Sequence, residues 1–117
     1  MRTYETADEL PEGVYRLDQE TAWHLIQEGK AFLLDVRTPE EYREGHIEGA
    51  TLIPVDWIVQ AHTDGLPSKD TPILIYCRAG KRAQVAAEVL GALGWKRVAN
   101  MGSGRQMNRL LQGDVGS

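Results

Sequence analysis

Apolar and polar positions change their period repeatedly along this chain, and each change marks an element. "GVYRLD" (13–18) reads as a short first strand. "QETAWHLIQEG" (19–29) puts Ala22, Leu25 and Ile26 on one helical face, with Asp18 as N-cap and Gly29 as the stop. "AFLLDVR" (31–37) is a continuous apolar run ending in charge, the pattern of a strand covered on both faces. In "TPEEYREG" (38–45), Thr38 is an N-cap, Pro39 takes the first helical position, Glu41 closes a capping box and Gly45 ends the helix. "ATLIPV" (50–55) reads as a third strand. "DWIVQAH" (56–62) reads as a short helix with Ile58 and Val59 inward, and "TDGLPSKDTP" (63–72) as a polar surface connection. "ILIY" (73–76) is the clearest buried strand. From Arg82 to Leu93 the pattern predicts a helix burying Val85, Ala86, Val89, Leu90 and Leu93, with Gly94 just past its end. "RVA" (97–99) is a fifth strand and "RQMNRLLQ" (105–112) a final helix.

Strands alternating with helices predict an α/β fold, a three-layer α/β/α sandwich around a mostly parallel five-stranded sheet. With 117 residues, no internal repeat and no dividing linker, residues 1–117 are expected to form a single domain. No apolar run approaches the roughly 20 residues that span a bilayer. The start, "MRTYETADELPEG", lacks the apolar core of a secretion signal, and the one cysteine cannot form an internal disulfide. The expected compartment is the cytoplasm.

Charge is divided along the chain. Residues 1–70 carry 6 basic and 15 acidic side chains, a net of −9, whereas residues 71–117 carry 7 basic and 2 acidic, a net of +5. The overall −4 argues against nonspecific nucleic-acid binding. The basic half is either a solvated surface or a local field suited to a small anion or a thiolate.

The sole cysteine lies in that half, in "IYCRAGKRA" (75–83). Cys77 follows a buried strand and precedes a helix by about five residues, the position where sites form in parallel sheets. The intervening "RAGK" can turn successive backbone N–H groups inward, with Gly80 supplying the backbone freedom. Those amides, the helix N-terminus and the cations Arg78, Lys81 and Arg82 all favour thiolate over thiol. The alternative is an inert cysteine buried at a strand end. A nucleotide P-loop is excluded, because Ile75 stands where its first glycine belongs and Arg82 replaces its hydroxyl. His24, His46 and His62 are too scattered to suggest a metal site with Cys77, and none is marked as the base of a cysteine protease.

Two stretches resemble one family. "LLDVRTPEEYREGHIEGATLIP" (33–54) is similar to the D-V-R-x-x-x-E-[FY]-x-x-G-H-I-x-G-A signature of rhodanese-like domains. "YCRAGKRAQVAAEVLGALGW" (76–95) is similar to their C-R-x-G-x-R loop and following helix. The resemblance implies a single-domain sulfurtransferase that needs no cofactor or metal. Cys77 would take sulfur from a small anionic donor such as thiosulfate or a persulfide, and pass it to a thiol or to cyanide. The loop residues Arg78, Ala79, Gly80, Lys81 and Arg82 would hold substrate and persulfide. Asp35 and Arg37 would support the loop, with Arg37 pairing to Glu41, and His46 would pack and hydrogen-bond. A thiol-bearing protein is a further candidate partner; nucleic acid and membrane are not expected. The alternative is a noncatalytic or sulfur-carrier module docking to a protein.

Phosphatases of the same fold resemble C-x5-R, whereas Cys77 to Arg82 is C-x4-R, a loop one residue shorter that suits sulfur better than phosphate. The family's N-x-x-G-G followed by tryptophan is replaced here by "NMGSGRQMNRL" (100–110), where Met101 and Met107 are candidates for the pocket wall.

Overall fold

The computed structural model of the chain describes residues 4–5, 14–17 and 19–111. Its strands are β1 (Tyr4–Glu5), β2 (Val14–Leu17), β3 (Phe32–Asp35), β4 (Thr51–Leu52), β5 (Ile73–Cys77) and β6 (Val98–Ser103). Its helices are α1 (Gln19–Gln27), α2 (Pro39–Glu44), α3 (Val55–Val59), α4 (Lys81–Ala92) and α5 (Gly104–Leu111). The strands form one sheet in the order β1-β2-β6-β5-β3-β4. Every pairing is parallel except that of β1 with β2. The five expected strands correspond to β2 through β6. The two-residue edge strand β1 was not expected, since two residues carry no period.

All five residues of β5 are buried, because helices cover both sides of the sheet. Ile73, Ile75 and Cys77 face one layer, where Ile58 of α3 and Ala83, Ala86, Ala87 and Leu90 of α4 complete the core with Leu34 and Val36. Leu74 and Tyr76 face the other, against Ala22 of α1 and Met107 of α5. Each fully buried aliphatic side chain in these layers contributes roughly 1.5–3 kcal/mol. Among the described residues no helix is long and apolar enough to cross a membrane.

Several helical faces differ from the expected ones. The buried face of α4 is Ala83, Ala86, Ala87 and Leu90, and Val85 is 45% exposed. Alanine weighs little in an apolar pattern, yet it lets the helix sit close on the sheet, so the true face is rotated from the one the larger side chains suggest. In α3, Ile58 is buried but Val59 is 55% exposed, and the helix ends there rather than at His62. The third strand shortens to Thr51–Leu52 because Pro54 serves as the N-cap of α3. The capping box of α2 is present, with Thr38 and Glu41 as the reciprocal pair. The expected N-cap Asp18 and the last residue of the final helix, Gln112, lie outside the described residues.

Parallel pairing brings β3, β5 and β6 to a common edge at Asp35, Cys77 and Ser103. On β6, Asn100 pairs with Ile75 but Ser103 pairs with Cys77, so the register slips by one residue at Met101–Gly102. This bulge extends the strand beyond the expected Arg97–Ala99 and starts α5 directly beside the end of β5.

Candidate active site

Cys77 ends β5, and its side chain turns beneath the first turn of α4. The backbone N–H of Gly80 donates to its Sγ at 3.0 Å and that of Ala83 at 3.4 Å. Gly80 is the N-cap of α4 and has no side chain to satisfy the helix. The sulfur therefore takes the place an N-cap oxygen would hold, accepting from the third amide of the helix at its positive end. A thiolate accepts such bonds strongly and a thiol only weakly. Gly80 reaches this arrangement at φ +96°, a left-handed conformation that disfavours any Cβ.

Asn100 braces the loop from the neighbouring strand. Its Nδ2 donates to the Gly80 carbonyl (2.9 Å) and to Gln84 Oε1 (3.1 Å), while its Oδ1 accepts from the Gly102 N–H (2.9 Å). One amide thus ties the cysteine loop to the bulge of β6. Its position in the N-M-G-S-G stretch was the only sequence signal for this role.

Glu41 holds the loop from the other side. Arg82 donates to both of its oxygens, at 2.8 and 3.1 Å, and Arg78 Nη1 stands 3.8 Å from Oε2. The same carboxylate accepts from the Thr38 N–H at 3.0 Å. Hydrogen bonding by Arg82, then by the Thr38 amide, lowers the Glu41 pKa to about 2. Arg82 is raised from its ordinary value, chiefly by the same contact.

Arg37 does not pair with Glu41 as expected. Its guanidinium grips the fully buried Asp35, with Nη2 at 2.7 Å from Oδ2 and Nε at 2.9 Å from Oδ1, and also donates to the Gly45 carbonyl at 2.8 Å. That hydrogen bond to Asp35 raises Arg37 further. Tyr76 completes the network: its hydroxyl donates to Asp35 Oδ2 at 2.8 Å and accepts from the Ile47 N–H at 3.0 Å. Burial pushes the Tyr76 hydroxyl up to about 12, which keeps it a donor at every ordinary pH. The expected pairing with Glu41 gives way to a partner two residues away, because Asp35 is buried and, among the described residues, no other cation pairs with it.

An open cavity of about 820 Å³ lies over this edge. Cys77 is among its lining residues, although it is only 1% exposed. Arg37, His46, Arg78, Arg105, Asn108 and Arg109 line the walls, and no carboxylate among the described residues does. Of the expected loop residues, Arg78 reaches the cavity with a highly exposed side chain, Ala79 and Lys81 are exposed on the loop, and Arg82 is turned to Glu41. His46 stacks on Tyr42 with ring centroids 3.6 Å apart and sets Nδ1 2.9 Å from the Tyr42 carbonyl. Met107 is buried in the core with Met101 packed beside it, so the wall from this segment is built by Ser103, Gly104 and the polar face of α5 instead.

The rhodanese-like domain family model matches residues 18–106. The chain belongs to the rhodanese-like domain family. This rhodanese-like chain is 35% identical over 69 residues to the thiosulfate sulfurtransferase PspE of Escherichia coli, covering 59% of the chain and 66% of PspE, so it spans just under two thirds of that relative. It is 31% identical over 105 residues to thiosulfate sulfurtransferase 18 of Arabidopsis thaliana, covering 80% of the chain and 76% of that protein. Among solved structures, the human single-domain sulfurtransferase TSTD1 superposes with a TM-score of 0.69 at 26% identity, over 80% of this chain and 95% of TSTD1.

Proposed function

We propose that this rhodanese-like chain is a sulfurtransferase that carries sulfur as a persulfide on Cys77. The reading rests on one observation: the sulfur of the chain's only cysteine belongs to a residue lining an arginine-rich cavity and accepts two backbone N–H groups at the positive end of α4. The names of the relatives point the same way. Cys77 thiolate attacks the outer sulfur of thiosulfate, the S–S bond breaks, and its electron pair leaves with sulfite. The outer sulfur then carries the negative charge. The amides of Lys81 and Arg82, which have no intrahelical acceptor at the first two helical positions, stabilise it. An acceptor, cyanide or a thiolate, attacks that outer sulfur and returns the Cys77 thiolate.

Charge around the cavity draws the anionic donor, with Arg78 the loop cation nearest to it, while Arg82 and Glu41 fix the loop. The loop from Cys77 to Arg82, C-x4-R, is one residue shorter than the C-x5-R loop of phosphatases of this fold, which favours a sulfur-sized site over a phosphoryl group. Mass measurement of the intact protein after incubation with thiosulfate tests the reading. A gain of one sulfur, about 32 Da, that is absent in Cys77→Ser is expected for covalent catalysis at this residue. An unchanged mass with thiosulfate and with organic persulfides would refute it.

A further inference from the structure

A thiol that is to take sulfur from the protein arrives protonated. An ordinary thiol near pKa 8.5 is only about 3% thiolate at pH 7, so a group that removes the proton during attack speeds the transfer. The cavity lining holds few groups able to do so. Arg37, Arg78, Arg105 and Arg109 carry guanidinium groups that stay protonated. The Tyr76 hydroxyl is pushed up to about 12 and already donates to Asp35, while Cys77 is occupied by the sulfur it carries. The other polar side chains of the lining, His46 apart, are a hydroxyl and an amide. Glu41 and Glu44 line a smaller hollow of about 280 Å³, which shares Arg37, Gly45 and Arg78 with the cavity, and Glu41 is held by Arg82. His46 is the base that remains.

Its surroundings fix which nitrogen is basic. Nδ1 lies 2.9 Å from the Tyr42 carbonyl, which can only accept, so Nδ1 carries the proton of the neutral ring and Nε2 keeps its lone pair. Nε2 makes no hydrogen bond among the described residues. The ring is held flat on Tyr42, 7° from parallel, and Tyr42 is anchored by its hydroxyl to the Ala50 carbonyl at 2.7 Å. The backbone on both sides of His46 is tied to the end of β5. The Ile47 N–H donates to the Tyr76 hydroxyl, next to Cys77, and the Gly45 carbonyl accepts from Arg37, whose partner Asp35 accepts from that same hydroxyl.

We infer that His46 is the general base that deprotonates a thiol acceptor, a catalytic role that rests on the sulfurtransferase reading. Nε2 takes the thiol proton as the acceptor sulfur attacks the outer sulfur of the Cys77 persulfide. The Cys77 S–S bond breaks and its electron pair restores the Cys77 thiolate. The acceptor leaves as R–S–S⁻, and the imidazolium gives its proton to solvent.

Two small uncharged acceptors separate proton removal from binding: mercaptoethanol, which is mostly protonated at pH 7, and trifluoroethanethiol, whose fluorines leave much of it ionised. The protein is loaded from thiosulfate, checked by mass, freed of excess donor and mixed with each acceptor, and loss of the sulfur is timed by intact mass. His46→Gln, at an exposed position, is expected to slow transfer to mercaptoethanol by about thirtyfold or more at pH 7, the inverse of the thiolate fraction. With trifluoroethanethiol the defect should be about threefold or less. The wild-type rate with mercaptoethanol should change little between about pH 7 and 9, because the base makes the free thiolate unnecessary. The variant should climb about tenfold per pH unit with the thiolate and approach wild type. A wild-type rate that itself climbs tenfold per unit overturns the base while leaving the parent reading intact, and so does a variant slowed equally with both acceptors. If the variant does not load, the wild-type pH profile alone decides. Failure of the wild type to load any sulfur overturns the parent reading and the base together.

Discussion

Glu41 joins three things that are distant in sequence: the N-cap of α2, the loop cation Arg78 and the helix cation Arg82. Because its folded pKa, about 2, lies below its ordinary value of 4.5, its contribution is fully present above pH 4.5 and is lost as pH falls toward 2. Discounted for solvent at the edge of the carboxylate, that contribution is about 1–3 kcal/mol. Urea unfolding should therefore show Glu41→Gln destabilised by this amount at pH 7, with the gap to wild type closing between pH 4.5 and 2. Tyr76 behaves in the opposite sense. Its hydroxyl is raised from 10 to about 12, so the neutral form is favoured in the folded state, and stability is present below pH 10 and lost as pH rises toward 12. Tyr76→Phe should abolish this alkaline loss. At neutral pH it should cost about 1–3 kcal/mol, because it leaves the buried Ile47 amide without its acceptor and removes one of the donors to Asp35 Oδ2, which keeps only Arg37.

The loop and first turn of α4 act as one element. Gly80 is held at φ +96°, and an L-residue there is strained by about 1–2 kcal/mol. Gly80→Ala should lose that much stability by thermal unfolding. It should also slow sulfur loading from thiosulfate by about tenfold, since the strained turn shifts the amide that donates to Sγ. A loading rate equal to wild type would show that this amide is not needed. Much at this scale was legible in the sequence. Cys77 at the strand end, Gly80 as the turn residue and the Thr38–Glu41 box all follow from local patterns, because the physics involved acts over three or four residues. The partners across elements were not legible. Arg37 and Arg82 each take a carboxylate, 2 and 41 residues away, and only the packing of β3 against β5 decides that Arg37 takes Asp35 and Arg82 takes Glu41. The face of α4 was misread for a related reason: the sheet selects the alanines, while the sequence displays Val85 just as prominently.

For the whole molecule, net charge and local charge predict opposite kinetics. A chain at −4 should repel thiosulfate, and added salt would then speed its capture. The fold gathers three arginines of the basic half around one opening, Arg78 from the end of β5 and Arg105 and Arg109 from α5; Arg37, just past β3, joins them from the acidic half, its charge largely met by Asp35. The acidic residues of the first seventy positions are absent from that lining among the described residues. A donor at the opening therefore meets the lining arginines directly, while the nearby Asp35 and Glu41 are already engaged by Arg37 and Arg82, and charges beyond a Debye length, about 10 Å at 0.1 M salt, are largely screened. The local field should win. The second-order rate of sulfur loading from thiosulfate, followed by intact mass, should fall on the order of tenfold between about 0.02 M and 0.5 M salt. A rate that rose with salt would mean that the net charge governs approach and that the arginine wall plays no part in drawing the donor in.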